Sequence, residues 1–165
     1  MNPDILRNSY DTFAPRYEEV FLDQQRPKIE ALLARVPPLT PALDLGCGTG
    51  LARRISGRPF IGLDISRGML THAQGPRVQA ELTQAPFRAG TFRLVLSVTA
   101  LIDYADARPA VAEIRRLLAP EGWLALSVLK REDIVGLEAA LERAGLPVLE
   151  RLDLEQDFGF IARKS

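Results

Sequence analysis

The feature that most constrains this chain is a buried strand that runs directly into a glycine-rich turn. Residues 42–45 are mostly apolar and predict the strand, and Gly46, Gly48 and Gly50 follow it at alternate positions. Glycine adopts positive φ readily and lacks the Cβ that would hold a ligand away. The residues after the turn favour a helix, whose first N–H groups are unpaired and lie at the positive end of its dipole. This combination predicts a nucleotide-binding site in an α/β fold.

The spacing of the glycines limits which nucleotide fits. Dinucleotide-binding folds carry the pattern G-x-G-x-x-G. Here the pattern is G-x-G-x-G, and Leu51 stands where the last glycine would be. Asp44 lies just before the turn, and its carboxylate favours a cationic group over a pyrophosphate. A nicotinamide-dependent oxidoreductase is therefore disfavoured but stays an alternative, as does a glycine loop that binds no ligand.

A second acidic residue, Asp64, ends the second predicted strand at residues 59–64. An acidic residue at the carboxyl end of this strand is where such folds hold a ribose diol, because a carboxylate can accept hydrogen bonds from two neighbouring hydroxyls. Ser66 follows as the expected N-cap of a short helix. The alternative is that Asp64 only caps that helix.

The segment 43–50, Leu-Asp-Leu-Gly-Cys-Gly-Thr-Gly, resembles the first motif of the class I S-adenosylmethionine-dependent methyltransferases. Residues 62–70 are similar to their second motif. The resemblance implies S-adenosylmethionine as cofactor and S-adenosylhomocysteine as product. It implies that the glycine turn contacts the cofactor, with Cys47 as a small residue there rather than a nucleophile, and that Ile65 and Met69 pack on the adenosine.

Residues 81–95 resemble the family's third region, in which an aspartate precedes a turn and a further strand. The resemblance implies that Glu81 accepts a hydrogen bond from the adenine amine and that the Leu82 N–H meets a ring nitrogen. The sequence departs from the pattern twice, with Glu81 for the first aspartate and Arg93 for the one that leads the strand. Ligands of such sheets lie where the strand order reverses, so we expect Ser97, on the fourth strand, to face the methionine half of the cofactor.

Residues 1–35 precede the core and are expected to form a helical cap. Segment 10–17 resembles the Tyr-Asp-x-x-Ala-x-x-Tyr lead-in of many small-molecule methyltransferases. In those proteins this helix lies over the cofactor and a tyrosine reaches its carboxylate, which implicates Tyr10 and Tyr17. The alternative is an amphipathic helix that only packs on the sheet. A second helix is expected at Pro27–Arg35, with proline in its first turn.

The end of the chain predicts the topology of the sheet. Two strands, at 146–154 and 157–162, are separated by only Glu155 and Gln156. A link this short implies a hairpin, hence one antiparallel strand in a parallel sheet, which is typical of class I methyltransferases. We therefore expect an α/β fold, a three-layer Rossmann-like sandwich around a seven-stranded, mostly parallel sheet. The length of 165 residues fits one domain, with the cofactor-binding core at 40–165.

The implied reaction is methyl transfer by in-line displacement at the sulfonium. The N-terminal similarity favours a small-molecule acceptor, and a protein or nucleic acid is the alternative. The loop after the fourth strand is where the family places residues that face the substrate. Asp103 is therefore the first candidate for a general base and Tyr104 the second, although Asp103 could also be a turn residue. A further alternative is a cofactor-binding module without catalysis.

Composition limits partners and location. Acidic and basic residues balance at 21 each, so bulk charge gives no reason to expect a polyanion partner. The single cysteine and the single histidine, His72, make a metal site built from protein ligands unexpected. The sequence shows no apolar run of membrane-spanning length and no signal-peptide pattern, so we expect a cytoplasmic protein. We expect residues 1–25, or the second subunit of a homodimer, to cover the acceptor site.

Overall fold

Strands and helices alternate after a helical N-terminal segment. The computed structural model describes residues 2–101 and 106–165. Within these ranges, no helix is both long and apolar enough to cross a membrane. The elements in chain order are α1 (Pro3–Phe13), a short 3-10 helix (Ala14–Arg16), α2 (Tyr17–Leu33), β1 (Ala42–Leu45), α3 (Leu51–Ser56), β2 (Phe60–Asp64), α4 (Arg67–His72), β3 (Arg77–Gln79), β4 (Phe92–Val98), α5 (Arg108–Leu117), β5 (Leu118–Leu129), α6 (Ile134–Arg143), β6 (Val148–Leu154) and β7 (Asp157–Arg163).

The strands form one seven-stranded sheet in the order β3-β2-β1-β4-β5-β7-β6. Neighbouring strands from β3 to β5 are parallel, whereas β7 is antiparallel to both β5 and β6. The link between β6 and β7 is Glu155-Gln156, and Glu155 adopts a positive φ of 59°. The structure therefore confirms the predicted mixed sheet with its terminal hairpin.

Helices cover both faces of the sheet. On one face, Leu32 of α2 and Leu51 of α3 belong to a buried cluster with Phe60. On the other face, Ile114 of α5 and Leu141 of α6 belong to a second cluster. Near-continuous apolar strands buried on both sides are characteristic of parallel sheets. The predicted three-layer sandwich is confirmed.

The predicted second helix at Pro27–Arg35 was wrong in its start. A single helix runs from Tyr17 to Leu33 and contains Pro27 in its interior. An internal proline removes one backbone hydrogen bond and costs about 3 kcal/mol. Ile29 and Leu32, just beyond it, are 3% and 0% exposed. Burial of this stretch against the sheet offsets the cost. The sequence pattern around the proline does not indicate that burial.

The topology also determines where a ligand can lie. Strand order reverses between β1 and β4, so their carboxyl ends open a crevice at the sheet edge. α1 lies beside that crevice and is tied to α4, because the Asp11 carboxylate accepts hydrogen bonds from the Ser66 hydroxyl at 2.6 Å and the Gly68 N–H at 2.7 Å. The approach is so close that a Cβ on Gly68 would lie 2.9 Å from Asp11 Cα.

Candidate functional site

A cleft, which we call the main cleft, lies at the carboxyl ends of the central strands. It contains about 600 Å³ of space, counting its open mouth. Its walls come from α1, the start of α2, the glycine turn, and the segments after β2, β3 and β4. The lining residues are Leu6, Tyr10, Tyr17, Gly46, Gly48, Leu63, Asp64, Ile65, Met69, Ala80, Glu81, Leu82, Val98, Thr99 and Ala100.

The glycine turn forms the floor of the main cleft. Gly46 has φ 81°, and its N–H donates to the Leu63 carbonyl at 2.7 Å. A Cβ on Gly46 would collide with the Cβ of Ala100. A side chain here would therefore disrupt both the turn and the segment after β4, and only glycine lets the two strands meet at the cleft.

Asp64 is held rigidly at the wall of the main cleft. One carboxylate oxygen accepts from the Gly48 N–H at 2.8 Å and the other from the Ser66 N–H at 2.9 Å. Burial raises the pKa of Asp64 above its ordinary value, and the hydrogen bonds from these two N–H groups act in the opposite direction. Each carboxylate oxygen has more than one acceptor position, so the group can still receive hydrogen bonds from two vicinal hydroxyls.

Asp44 lies in a smaller pocket that opens from the same turn, and we call it the Asp44 pocket. Tyr17, Gln25 and Gly46 are among the residues that line it. Asp44 is 3% exposed, and no residue in the described part of the chain donates a hydrogen bond to its carboxylate. Burial and the nearby charge of Asp64 raise the pKa of Asp44 to about 7. A buried carboxyl group without a partner is costly, and a cationic ligand group would relieve that cost.

The remaining polar groups of the main cleft lie in two separate parts of its wall. Tyr10 and Tyr17 border it from the N-terminal helices, and Glu81 and Leu82 border it after β3. Burial raises the pKa of Tyr17, so its hydroxyl stays protonated and able to donate. The Thr83 hydroxyl donates to Glu81 at 2.7 Å, which orients that carboxylate.

Comparison with known proteins agrees with this geometry. Residues 43–126, just over half of the chain, match the model of the family described as Methyltransferase domain. The chain belongs to the methyltransferase domain family. The match begins at β1 and includes the whole glycine turn.

Curated relatives and solved structures extend the match. The chain is 32% identical over 157 residues to the malonyl-acyl-carrier-protein O-methyltransferase of Halorhodospira halophila, covering 85% of this chain and 53% of the relative. It is 32% identical over 108 residues to the 18S rRNA guanine-N7-methyltransferase bud23 of Schizosaccharomyces pombe, covering 59% and 39%. The chain thus spans about half the length of the first curated relatives it matches, or less.

A solved structure covers the fold more fully. The S-adenosylmethionine-dependent methyltransferase of Thermotoga maritima superposes with a TM-score of 0.82 at 17% identity, covering 96% of this chain and 99% of the other. At that identity the likeness concerns the fold. It includes the N-terminal helices as well as the sheet.

The structure brings most of the predicted methyltransferase site together. Nine of the predicted cofactor residues border the main cleft. They are Tyr10, Tyr17, Gly46, Gly48, Asp64, Ile65, Met69, Glu81 and Leu82. Asp44 borders its own pocket beside them.

Two of the predicted cofactor residues, Gly50 and Ser97, border neither the main cleft nor the Asp44 pocket. Gly50 is the N-cap of α3, with φ 78°, and it faces Ala73. Ser97 is fully buried, and its hydroxyl donates to the Leu45 carbonyl at 2.9 Å. Ser97 therefore ties β4 to β1 behind the cleft, and its hydroxyl is already used within the fold.

Cys47 borders the Asp44 pocket but not the main cleft. Its sulfur packs against β2, where a Cβ on Gly62 would lie 2.7 Å from it. Burial, followed by the charge of Asp44, raises the pKa of the thiol. The neutral, packed thiol fits the prediction of a small residue in a tight turn rather than a nucleophile.

Two predicted site residues cannot be placed, and two residues that border the spaces were not predicted. Asp103 and Tyr104, the two candidate bases, lie outside the described residues. The sequence reasoning missed Leu6, although it lies one helical turn before Tyr10, a spacing that places both on one face. It also missed Lys28, whose buried position inside α2 has no signal in the local pattern.

Proposed function

We propose that this methyltransferase acts on a small molecule, with S-adenosylmethionine in the main cleft and the acceptor in a neighbouring space. The observation that carries this proposal is a second cavity that shares Leu6, Tyr10, Tyr17 and Thr99 with the main cleft. It contains about 1260 Å³ of space, counting open solvent. Small-molecule sites are concave spaces of this kind, mostly apolar with a few polar groups.

The residues of the main cleft suit the proposed cofactor. Asp64 would accept hydrogen bonds from the ribose hydroxyls, and Glu81 with the Leu82 N–H would hold the adenine. Asp44 would lie near the cationic end, and Tyr10 or Tyr17 would donate to the carboxylate. The glycine floor supports this fit, because a Cβ at Gly46 would close the space.

When bound, S-adenosylmethionine supplies a methyl group activated by its sulfonium, so the protein's task is binding and orientation. Holding two reacting groups in line contributes much of the rate enhancement of such reactions. Tyr10 and Tyr17, which border both spaces, would keep water from the junction. Asp103 remains our predicted general base, with Tyr104 as the alternative, for an acceptor that must lose a proton.

We further propose that residues 1–35 act as the cap of the site within one domain. Support comes from α1 and α2, which contribute walls to both the main cleft and the second cavity. The relatives do not fix the acceptor, because one is named for a malonyl-acyl-carrier protein and another for an rRNA guanine. A macromolecular acceptor is therefore the second candidate.

Label transfer distinguishes these acceptors. The protein is incubated with S-adenosylmethionine carrying a tritiated methyl group and with three fractions of a cell extract: small molecules, proteins and RNA. We expect label in a product of the small-molecule fraction. The Asp64→Asn variant provides the control, because it should lose that transfer. Label confined to protein or RNA would overturn the proposal.

A further inference from the structure

A buried polar network forms part of the floor of the second cavity. Lys28 Nζ donates to Asp157 at 2.7 Å, and the hydroxyls of Thr99 and Ser127 donate to the other oxygen of Asp157 at 2.7 and 2.9 Å. Lys28 and Asp157 are only 5% and 0% exposed. Lys28 and Thr99 border the cavity, whereas Asp157 lies behind them.

The floor is polar but its charges are balanced. The ammonium of Lys28 is paired with Asp157, and each Asp157 oxygen already accepts a hydrogen bond. Arg131, which also borders the cavity, lies 3.5 Å from the Glu132 carboxylate. A charged acceptor would lose its hydration on entering the cavity. It would find no unpaired opposite charge among these residues to compensate for that loss, so its binding is unfavourable. The cavity is therefore better suited to a neutral molecule.

Gln25 supplies a polar group that is available to a ligand. It is 7% exposed and borders both the Asp44 pocket and the second cavity. Its side-chain amide makes no hydrogen bond within residues 2–101 and 106–165. Because the residue borders both spaces, its amide is positioned to donate a hydrogen bond to a ligand and to accept one.

The wall of the second cavity that the N-terminal helices form is apolar, and three aromatic rings pack together there. The ring centroids of Phe13 and Phe21 are 5.8 Å apart, and those of Tyr17 and Phe21 are 5.2 Å apart. All three rings border the second cavity. Aromatic clusters of this kind favour other flat rings, which they meet edge to face or offset.

From these observations we infer that the second cavity binds an uncharged, ring-bearing acceptor, with its ring against Phe13, Tyr17 and Phe21 and its hydroxyl or amino group against Gln25 and Thr99. This inference rests on the proposed function and specifies its substrate class. In the reaction, a lone pair of the acceptor oxygen or nitrogen forms the new bond to the methyl carbon. The S–CH₃ bonding pair stays on sulfur, giving the neutral thioether, and the acceptor proton passes to the predicted general base.

Three related probes test the class of acceptor. Naphthol is neutral and carries a hydroxyl, naphthoate is the matched anion, and naphthalene has the ring alone. Each is titrated calorimetrically into protein saturated with S-adenosylhomocysteine. We expect naphthol to bind about tenfold more tightly than naphthoate, and more tightly than naphthalene, since it alone offers a neutral ring with a hydrogen-bonding group.

Variants locate the binding. Phe21→Ala should weaken naphthol binding about tenfold, because it removes one wall of the ring site, and should leave S-adenosylhomocysteine affinity unchanged. Phe87→Ala removes a similarly half-buried ring that borders neither space and should change neither affinity. Gln25→Leu should abolish the preference for naphthol over naphthalene, and thermal unfolding of the same variant shows whether it folds.

The inference is overturned if naphthoate binds more tightly than naphthol, if no probe binds to protein that binds S-adenosylhomocysteine, or if Phe21→Ala leaves naphthol binding intact. The proposed function fails by a different result, namely methyl label found only on protein or RNA. The two failures can therefore be told apart.

Discussion

Asp11 and Ser66 are joined by a hydrogen bond of 2.6 Å from the serine hydroxyl to the carboxylate, between α1 and the start of α4. The Ser66 N–H donates in turn to Asp64, and Asp64 accepts from Gly48. The N-terminal helix is thus linked to the glycine turn through the carboxylate that we expect to hold the ribose. α1 therefore borders the main cleft and is also linked to the glycine turn beneath it.

Asp11→Ala should therefore weaken S-adenosylhomocysteine binding about tenfold, mainly through faster dissociation, because a hydrogen bond to a charged group contributes roughly 1.5–3 kcal/mol. Stopped-flow displacement measures the dissociation rate. Asp4→Ala is the matched control on the same helix, since Asp4 is exposed and forms an ion pair with Arg7 nearby. Equal dissociation rates in Asp11→Ala and wild type would contradict the link.

Cofactor affinity should depend on pH through Asp44. Its pKa lies at about 7, so the carboxyl group gains its negative charge as the pH rises through neutrality. A ligand with a cationic end should then bind more tightly at about pH 8 than at about pH 6, because opposite charges attract strongly at a buried site. Calorimetry across this range measures the change. In Asp44→Asn the dependence should flatten, and an unchanged slope would show that another group is responsible.

The raised pKa of Asp44 also predicts how the stability of the ligand-free protein depends on pH. A carboxyl group whose pKa is raised on folding binds protons more tightly in the folded state, so it destabilises the fold increasingly as the pH rises from about 4 to above 7. Asp44→Asn lacks this penalty and should be more stable than wild type at about pH 8, by up to about 4 kcal/mol. Urea unfolding at both pH extremes measures the difference. If the variant is less stable at about pH 8, Asp44 has a partner in the free protein.

The buried pair of Lys28 and Asp157 should be essential to the fold. Lys28→Met leaves the Asp157 charge buried and uncompensated, which typically costs about 3–5 kcal/mol. Thermal unfolding should show a large fall in Tm, partly recovered in Lys28→Met with Asp157→Asn. The exposed pair of Lys130 and Asp153 offers the control, because Lys130→Met should cost less than about 1 kcal/mol. Similar losses in both single variants would refute this prediction.

Gly46→Ala tests the floor of the main cleft. The new Cβ would meet Ala100, so the turn must move and S-adenosylhomocysteine binding should be lost. Gly57→Ala is a matched control: Gly57 also has positive φ, at 68°, but a Cβ there meets nothing within 4 Å. It should cost only the backbone strain, roughly 1–2 kcal/mol, and keep the ligand. Binding by Gly46→Ala at wild-type affinity would contradict the proposed floor.

Much of the fold could be predicted because its signals are local. The glycine turn after β1 and the two-residue link before β7 are each determined by a few adjacent residues and the backbone conformations that those residues allow. The departure at Arg93 proved remote from the site, because that residue is exposed on β4 and borders neither space.

The rest of the site depends on contacts between distant segments. Lys28 and Asp157 are 129 residues apart, and nothing near either residue indicates its partner. The sequence around Ser97 does not indicate its hydrogen bond to the Leu45 carbonyl, because a polar residue on a strand can bond a neighbouring backbone carbonyl as well as a ligand. Burial of α2 along the sheet likewise carried the helix through Pro27 against its local preference.

The most direct test of the central claim is calorimetric titration of the purified protein with S-adenosylhomocysteine, beside Asp64→Asn and beside NAD. We expect saturable binding by the wild type, a loss of at least about tenfold in Asp64→Asn because the ribose hydrogen bonds weaken, and no binding of NAD. Failure of the folded wild type to bind S-adenosylhomocysteine, or equal binding by Asp64→Asn, would contradict the assignment of the main cleft.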